Sequence, residues 1–302
     1  MLMGEHAVVH GRRALACAID RFITVTLMPR TDTIFTITAQ GFQTYQGSIK
    51  TRQIEAPYPF VLTAIFNEQY LLKYGFDLTI TSTMSHRQGL GSSAAVTVAT
   101  VKVLATWLQQ PLTAQELLIK ARSVVREVQG SGSGTDVAAS VYGGVVSYRA
   151  EPCEVVAWPI ELPISLVYVG YKTSTAVVVE KVRQQLCKHP RLINSIFDAM
   201  DQCVQEAQFF LLQSDWSKLG EVMNIHQGLQ DSLGVNNALL AELIEILRQH
   251  PKIYGAKISG SGLGDCILGL GCIEADYFPT NPKQHELGIC TVPVTISTQG
   301  VL

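Results

Sequence analysis

The spacing of hydrophobic positions changes along the chain, from the two-residue period of strands to the wider period of helices. Several short segments are rich in Thr, Val, Ile and Phe or alternate between apolar and polar residues, which favours extended structure. Residues 77–83 show the cleanest alternation. The predicted strands cover 21–28, 33–38, 77–83, 142–148, 164–171 and 256–259.

Helical periodicity dominates the second half of the chain. Thr113 and Glu116 form the Thr-x-x-Glu pattern of a capping box, which predicts a helix that starts there and ends at Gly130. The other predicted helices cover 57–74, 96–108, 177–187, 192–213, 217–233 and 237–248. Because 302 residues is long for one core and prolines cluster within 151–163, we predict two domains, 1–157 and 158–302.

A glycine-rich segment, GLGSSAA at 89–95 (the first loop), leads directly into the apolar helix at 96–108. Its glycines allow a ligand close to the backbone, Ser92 is expected to cap the helix, and the free N–H groups of a first helical turn attract anions. The loop lacks the Gly-Lys-Ser or Gly-Lys-Thr ending of a P-loop. Alone, it equally fits an ordinary turn before a capped helix.

Two more segments share this composition: QGSGSGTD at 129–136 (the second loop) and SGSGLGD at 259–265 (the third loop). Backbone N–H groups in such turns can surround the oxygens of an anion, and three of them together favour phosphate binding. Asp136 closes the second loop. It is expected either to cap a helix or, if the loop binds phosphate, to accept a proton from an attacking hydroxyl.

Composition excludes several other classes of protein. A net charge of −2 and a pI near 6.4 do not favour nucleic-acid binding. The seven cysteines are scattered without a C-x-x-C pair, which indicates reduced thiols. We find no segment that predicts a membrane span or a secretory signal, so we expect a cytoplasmic protein.

Taken together, the run GEHAVVHG at 4–11, the first loop, the segment 130–144 and the third loop resemble the motifs of the GHMP kinases in order and spacing. This superfamily includes galactokinase, homoserine kinase, mevalonate kinase and phosphomevalonate kinase. The run at 4–11 is most similar to the mevalonate kinases, whereas 128–143 and the ending Gly264-Asp265-Cys266 are more similar to the phosphomevalonate kinases. The resemblance implies an α+β, two-domain GHMP kinase fold. Its N-terminal domain would resemble domain 2 of ribosomal protein S5, and its C-terminal domain would be ferredoxin-like.

The resemblance also implies a role for each motif residue, with ATP and Mg²⁺ as cofactors. Asp136 matches the catalytic acid beside the accepting hydroxyl, and Ser93 matches a ligand of Mg²⁺. Substrate-side positions match Glu5, His6, Ser174 and Thr175. The positions that hold ATP match Gly89, Leu90, Gly91, Ser92, Ser93, Ala94, Gly260, Ser261 and Gly262.

Two departures from the family pattern stand out. The family's first motif begins with Pro-Gly-Lys, and its lysine would precede Met1, so we expect an in-frame Pro-Gly-Lys in the upstream DNA. A Mg²⁺-binding glutamate of the mevalonate kinases corresponds to Val125 here. Glu127 is nearby, but the helical period places it on the polar side, as a solvated surface carboxylate.

The implied reaction is transfer of the γ-phosphoryl group of ATP to the primary hydroxyl of mevalonate. Phosphomevalonate is the alternative substrate, and its extra phosphate would need basic groups. The candidates are Arg12, Arg13, His86, Arg87, Arg126 and Lys172. The residues leave two other functions open: a nucleotide- or metabolite-binding protein without catalysis, and a decarboxylase of the same fold. They also leave open whether the protein forms a homodimer.

Overall fold

The computed structural model describes residues 1–84, 88–130 and 132–301. These residues form two compact units. Unit 1 contains 1–20, 88–89 and 144–298, and unit 2 contains 21–84, 90–130, 132–143 and 299–301. The N-terminal segment thus joins the same unit as the C-terminal half. The predicted division at 157–158 stays a prediction.

Unit 2 is a four-stranded sheet with helices packed on it. Its strands are β2 (Ile23–Pro29), β3 (Ile34–Ala39), β4 (Tyr45–Ser48) and β5 (Phe76–Ser82), in the order β2-β5-β3-β4. Only β3 and β5 among these pairs run parallel. The helices are α1 (Pro59–Asn67), α2 (Ser92–Trp107), α3 (Ala114–Gln129) and α4 (Thr135–Tyr142). The core includes Phe35, Leu62, Phe76, Leu78 and Leu104.

Unit 1 contains two antiparallel sheets. One has the order β1-β6-β7, with β1 (Arg13–Cys17), β6 (Val145–Arg149) and β7 (Glu154–Trp158). The other has the order β11-β8-β10-β9, with β8 (Ile164–Tyr168), β9 (Ile253–Ser259), β10 (Cys266–Gly271) and β11 (Cys290–Val292). The helices are α5 (Thr175–Lys188), α6 (Pro190–Leu212), α7 (Trp216–Ser232), α8 (Ala238–Gln249) and α9 (Pro282–Glu286).

The helix α7 lies along β9, which is the edge strand of its sheet. Asn224 and Gln227 of α7 accept hydrogen bonds from the backbone N–H groups of Ala256 and Ile258, at 3.0 and 2.8 Å. These side chains satisfy donors that an edge strand would otherwise leave unpaired. The contact fixes β9, from which the third loop begins.

Most of the predicted elements are present, with shifts of up to four residues at their ends. The capping box at Thr113 and the end of α3 at Gly130 are confirmed. Two predictions are wrong. The helix predicted over 57–74 ends at Asn67, and the strand predicted over 142–148 begins only at Val145, because α4 continues to Tyr142 and a glycine turn follows.

Two further features concern the helices and the cysteines. Within the described parts of the chain, each helix is too short or too polar to span a lipid bilayer. All seven cysteines lie in these parts, and each is a free thiol.

Candidate functional site

The first turn of α2 leaves its backbone donors open. Its N-cap is Gly91, which has a left-handed φ of 78° and no side chain to accept a hydrogen bond. The prediction that Ser92 caps this helix is therefore wrong, since Ser92 is its first helical residue. Other helices use a side chain at this position, as Thr113 does for α3. The amides at 92–93 and the Ser93 hydroxyl thus form a group of donors suited to an anion.

Asp136 lies next to this turn, within the same unit. It belongs to the first turn of α4, whose N-cap is Gly134, so Asp136 does not act as an N-cap. Its Oδ2 is 3.7 Å from the position that a Cβ would take on Gly91. The side chain is exposed, and its carboxylate makes no hydrogen bond or ion pair with any described residue. An unpaired carboxylate beside open helix donors is available to accept a proton or bind a cation.

In unit 1, residues 4–6 (the N-terminal corner) turn sharply. A Cβ on Gly4 would clash with the carbonyl of Arg13, and the φ of Gly4 is +89°, so only glycine fits. His6 also has a positive φ, of 63°. Its Nε2 lies 2.8 Å from the carbonyl oxygen of Ser261. Because a carbonyl only accepts, His6 carries its proton on Nε2.

The Glu5 side chain is buried in an ion pair with Lys257 of β9. Its Oε1 is 2.6 Å from Lys257 Nζ and 3.3 Å from the amide nitrogen of Gly260, which donates to it. Glu5 is 3% exposed and Lys257 is fully buried. Burial alone would raise the pKa of Glu5, but attraction to Lys257 foremost outweighs it and lowers the pKa to about 2. Glu5 is thus a carboxylate at neutral pH.

His226 of α7 is the third ionisable group of this cluster. The Gly4 amide donates to its Nε2 at 2.9 Å, so this nitrogen carries no proton and the neutral ring has its proton on Nδ1. Burial, and secondarily repulsion from Lys257, lowers the pKa of His226 to about 3. The 3.8 Å separation between His226 Nε2 and Glu5 Oε2 is therefore not an ion pair at neutral pH.

The third loop is bound on both sides. The Leu263 amide donates to the Val235 carbonyl at 2.8 Å, and Thr173 Oγ1 donates to the Leu263 carbonyl at 2.7 Å. Asp265 has a φ of 64° and lies over Gly89, where a Cβ would be 2.9 Å from the Asp265 Cγ. Burial raises the pKa of Asp265. Gly89 belongs to unit 1, and the other residues of the first loop belong to unit 2.

The structure brings some predicted residues together and leaves others apart. Glu5 and His6 contact Gly260 and Ser261, and Asp136 lies beside Gly91. Ser174 and Thr175 are exposed at the start of α5, where Ser174 makes no side-chain cap. That the three loops act on one ligand stays a prediction.

Several of the remaining candidates form ion pairs at the surface, and others lie outside the described residues. Glu127 is a surface carboxylate, as expected, because it pairs with Arg52 at 2.7 Å and its side chain is 41% exposed. Arg12 pairs with Asp198 and Arg13 with Asp201, at 2.8 and 2.9 Å. The candidates His86 and Arg87, and Ser131 of the second loop, lie outside the described residues. Within the described ranges, we find no group of three or more His, Cys, Asp or Glu side chains that could hold a metal ion.

The amino-acid sequence matches two family models. The model of the GHMP kinases N terminal domain matches residues 59–144, and that of the GHMP kinases C terminal matches residues 208–276. The chain belongs to the GHMP kinase family.

Relatives of this GHMP kinase extend over most of its length. It is 33% identical to the protein named mevalonate kinase from Pyrococcus horikoshii over 288 residues, which cover 89% of this chain and 85% of that protein. The Methanococcus jannaschii mevalonate kinase has the same fold, with a TM-score of 0.77, 23% identity, and coverage of 98% and 95% of the two chains. The L. major mevalonate kinase in complex with R-mevalonate has a TM-score of 0.73 at 23% identity, with 99% and 94% covered.

Sequence reasoning did not identify Lys257, His226 or Asp265 as members of the site. Lys257 gave a usable signal, because it interrupts a predicted strand directly before the third loop. His226 gave none, since a histidine in a long helix most often faces solvent or core for packing reasons alone.

Proposed function

We propose that this GHMP kinase transfers the γ-phosphoryl group of ATP to the primary hydroxyl of mevalonate. The observation that carries the proposal is the exposed Asp136 carboxylate, which no described residue pairs with, beside the open first turn of α2. Phosphoryl transfer depends on donors that stabilise phosphate charge and on a group that orients the hydroxyl, and these two parts lie side by side in unit 2. The 33% identity to a mevalonate kinase supports the choice of substrate.

In the proposed reaction, a bond forms between the hydroxyl oxygen and the γ-phosphorus while the bond to the β,γ-bridging oxygen breaks. Asp136 accepts the hydroxyl proton, and the products are phosphomevalonate and ADP. The amides at 92–93 and the Ser93 hydroxyl donate to phosphate oxygens. In this proposal Glu5, His6, Ser174 and Thr175 act on the substrate, and the loop at 260–262 supplies further donors.

Mg²⁺ would neutralise charge on the ATP phosphates. Unit 2 offers oxygen ligands that suit this ion. Ser93 has a hydroxyl in the first turn of α2, and the Asp136 carboxylate has no partner among the described residues. Mg²⁺ keeps several waters and takes few protein ligands when phosphates also bind it. Mg²⁺ bound mainly by water and phosphate oxygens would not need the family's glutamate, which Val125 replaces here.

Two of the basic candidates of unit 1 are already paired, which favours mevalonate over phosphomevalonate. Arg12 and Arg13, the arginines nearest the N-terminal corner in sequence, form ion pairs with aspartates of α6. They are therefore committed, whereas a second substrate phosphate would need free cations. The purified protein should form ADP with mevalonate and ATP–Mg²⁺, and much less with phosphomevalonate. Equal or greater turnover of phosphomevalonate would reassign the substrate, and ATP binding without product would indicate a non-catalytic protein.

Replacement of Asp136 by Asn tests the catalytic role. The amide keeps the size of the side chain but cannot accept the proton, so we expect kcat to fall about 100-fold or more with little change in the KM for ATP. Glu127→Gln, a surface carboxylate of the same unit, is the matched control and should keep full activity. Near wild-type turnover in D136N would remove Asp136 from the mechanism.

A further inference from the structure

The N-terminal corner and the third loop come from opposite ends of unit 1, yet two adjacent residues connect them. Glu5 accepts from the Gly260 amide at 3.3 Å, and His6 donates to the Ser261 carbonyl at 2.8 Å. Each contact joins a residue assigned to the substrate side with one assigned to phosphate. Any shift of Glu5 would therefore move both groups.

Lys257 fixes Glu5 from the strand that leads into this loop. Side chains alternate along β9, so Lys257 lies on the face opposite Ala256 and Ile258, which pack into the α8 core. Its ammonium donates to Glu5 Oε1 at 2.6 Å and to the carbonyl of Ile258. Lys257 is therefore bonded both to the backbone of β9, directly before the third loop, and to the N-terminal corner.

We propose that Lys257 is a positioning residue that acts through Glu5 to hold the N-terminal corner and the loop at 260–262 in the arrangement that binds substrate. The proposal rests on the proposed function for the identity of that substrate. Lys257 itself is not assigned a contact with substrate. Its contribution is to neutralise Glu5, because a buried carboxylate without a cation would protonate or move toward water.

The charged surroundings of Glu5 make this testable by pH. The groups that act on it are Lys257 of β9, His226 of α7 and the α-amino group of Met1. Because His226 is neutral at pH 7, Lys257 is the nearest cation, and its ammonium is hydrogen-bonded to Glu5 together with the uncharged Gly260 amide. In Lys257→Met, the attraction that lowers the pKa of Glu5 is lost while its burial remains. The pKa of Glu5 should therefore rise above the usual 4.5.

The experiment compares wild type, K257M, E5Q and the double variant E5Q/K257M. We expect K257M to lose kcat/KM for mevalonate by tenfold or more as pH rises from 5.5 to 8, through deprotonation of an unpaired Glu5. The double variant has a neutral amide that still accepts from Gly260, so it should recover activity relative to K257M at pH 8 and lose the added pH dependence. A merely structural role for Lys257 would give no such rescue.

The matched control is Lys252→Met. Lys252 pairs with Glu274 at the same 2.6 Å distance, but both side chains are more than half exposed. K252M should leave the pH profile unchanged. If K257M does not fold but the double variant does, that result supports the proposal that Lys257 acts through Glu5. If neither variant folds, Lys257 acts independently of Glu5 and the proposal is overturned.

A readout that does not need substrate separates this proposal from the proposed function. The ¹³C chemical shift of the Glu5 carboxyl carbon reports its ionisation, and the signal is assigned by its loss in E5Q. In wild type the shift should show a carboxylate down to about pH 2, whereas in K257M it should show a titration above pH 4.5. An unchanged Glu5 titration overturns the role of Lys257, whatever the enzyme phosphorylates. A wild type that is inactive on mevalonate overturns only the proposed function.

Discussion

Burial decides the charge of the ionisable side chains around Glu5. His226 is fully buried, and its Nε2 lone pair is used by the Gly4 amide. Protonation of that nitrogen would remove this hydrogen bond and place a second cation near Lys257. The folded protein therefore keeps His226 neutral, although an unfolded chain would protonate it below about pH 6.5.

His226 should make the protein less stable in mild acid. Between pH 6.5 and about 3 the unfolded chain binds one proton more than the folded protein at this residue, so the free energy of unfolding falls as pH decreases. The full effect is about 1.4 kcal/mol per pH unit for one proton. In His226→Gln, an amide oxygen can accept from Gly4 but cannot protonate there, so this contribution should disappear.

Urea unfolding at pH 6.0, 5.25 and 4.5 measures the effect. Near the lower end of this range Glu5, with its pKa lowered from 4.5 to about 2, begins to lose its own stabilising contribution, but it does so in both proteins and cancels in the comparison. We expect the slope of unfolding free energy against pH to be smaller in H226Q by about 1 kcal/mol per pH unit. Parallel slopes in the two proteins would show that His226 is already protonated in the folded state.

At the scale of residues, the sequence predicts local chemistry better than distant pairs. The first loop, Asp136 and the corner residues were recognisable because each lies in a short motif. The partner of Glu5 was not, because Lys257 is 252 positions away and nothing in the local pattern of β9 identifies which carboxylate it meets. Ser92 failed as a cap for a local reason, since it is itself the first residue of the helix and Gly91 takes the N-cap position.

At the scale of elements, the helix ends differ in how their backbone donors are satisfied. The capping box of α3 is reciprocal: Thr113 Oγ1 accepts from the Glu116 amide, and Glu116 Oε2 accepts from the Thr113 amide at 2.8 Å. The helix α2 has no such side chain at Gly91. The first arrangement stabilises a helix by itself, whereas the second leaves donors for a ligand.

Thr113→Ala should destabilise unit 2 without affecting catalysis. Loss of the cap leaves the Glu116 amide without its side-chain acceptor, at a cost of about 1 kcal/mol. Thr113→Ser keeps the hydroxyl and is the control. Chemical denaturation should give a lower free energy of unfolding for T113A alone, with the kcat of all three proteins equal. A fall in T113S as large as that in T113A would assign the effect to the lost methyl group instead.

Element boundaries followed the sequence where a helix carried its own signals. The capped helix α3 was predicted at both ends, because its cap and its terminal glycine are local. The strand β1, with the sequence RALAC, was missed because alanine-rich segments have little preference for strands and its pairing with β6 is distant in sequence. Tertiary pairing, rather than local preference, determines such strands.

At the scale of the whole molecule, each unit has its own hydrophobic core. Leu104 belongs to the core of unit 2, and Leu243 belongs to a core of unit 1. All seven cysteines lie in unit 1. The order of units along the chain could not be read from composition, since the first 20 residues fold with the C-terminal half.

This distribution provides a separate probe for each unit. In unit 1, burial raises the pKa of Cys203 to about 11 and that of Cys266 to about 12, so both thiols should react slowly until the unit unfolds. In unit 2, Trp107 packs edge-on against Phe76, with ring centroids 5.3 Å apart. In the variant W158F/W216F, Trp107 is the one remaining tryptophan of the chain, and its fluorescence reports unit 2.

Core substitutions in this single-tryptophan protein should act on the two probes unequally. Leu104→Ala removes a fully buried side chain from unit 2, at a cost of about 2 to 5 kcal/mol, and should lower the urea midpoint of Trp107 fluorescence more than that of thiol labelling. Leu243→Ala, equally buried in unit 1, is the matched control and should do the reverse. Because a domain with its own core can unfold as a unit, the two midpoints should separate. Equal shifts of both probes in both variants would show instead that the chain unfolds in one cooperative transition.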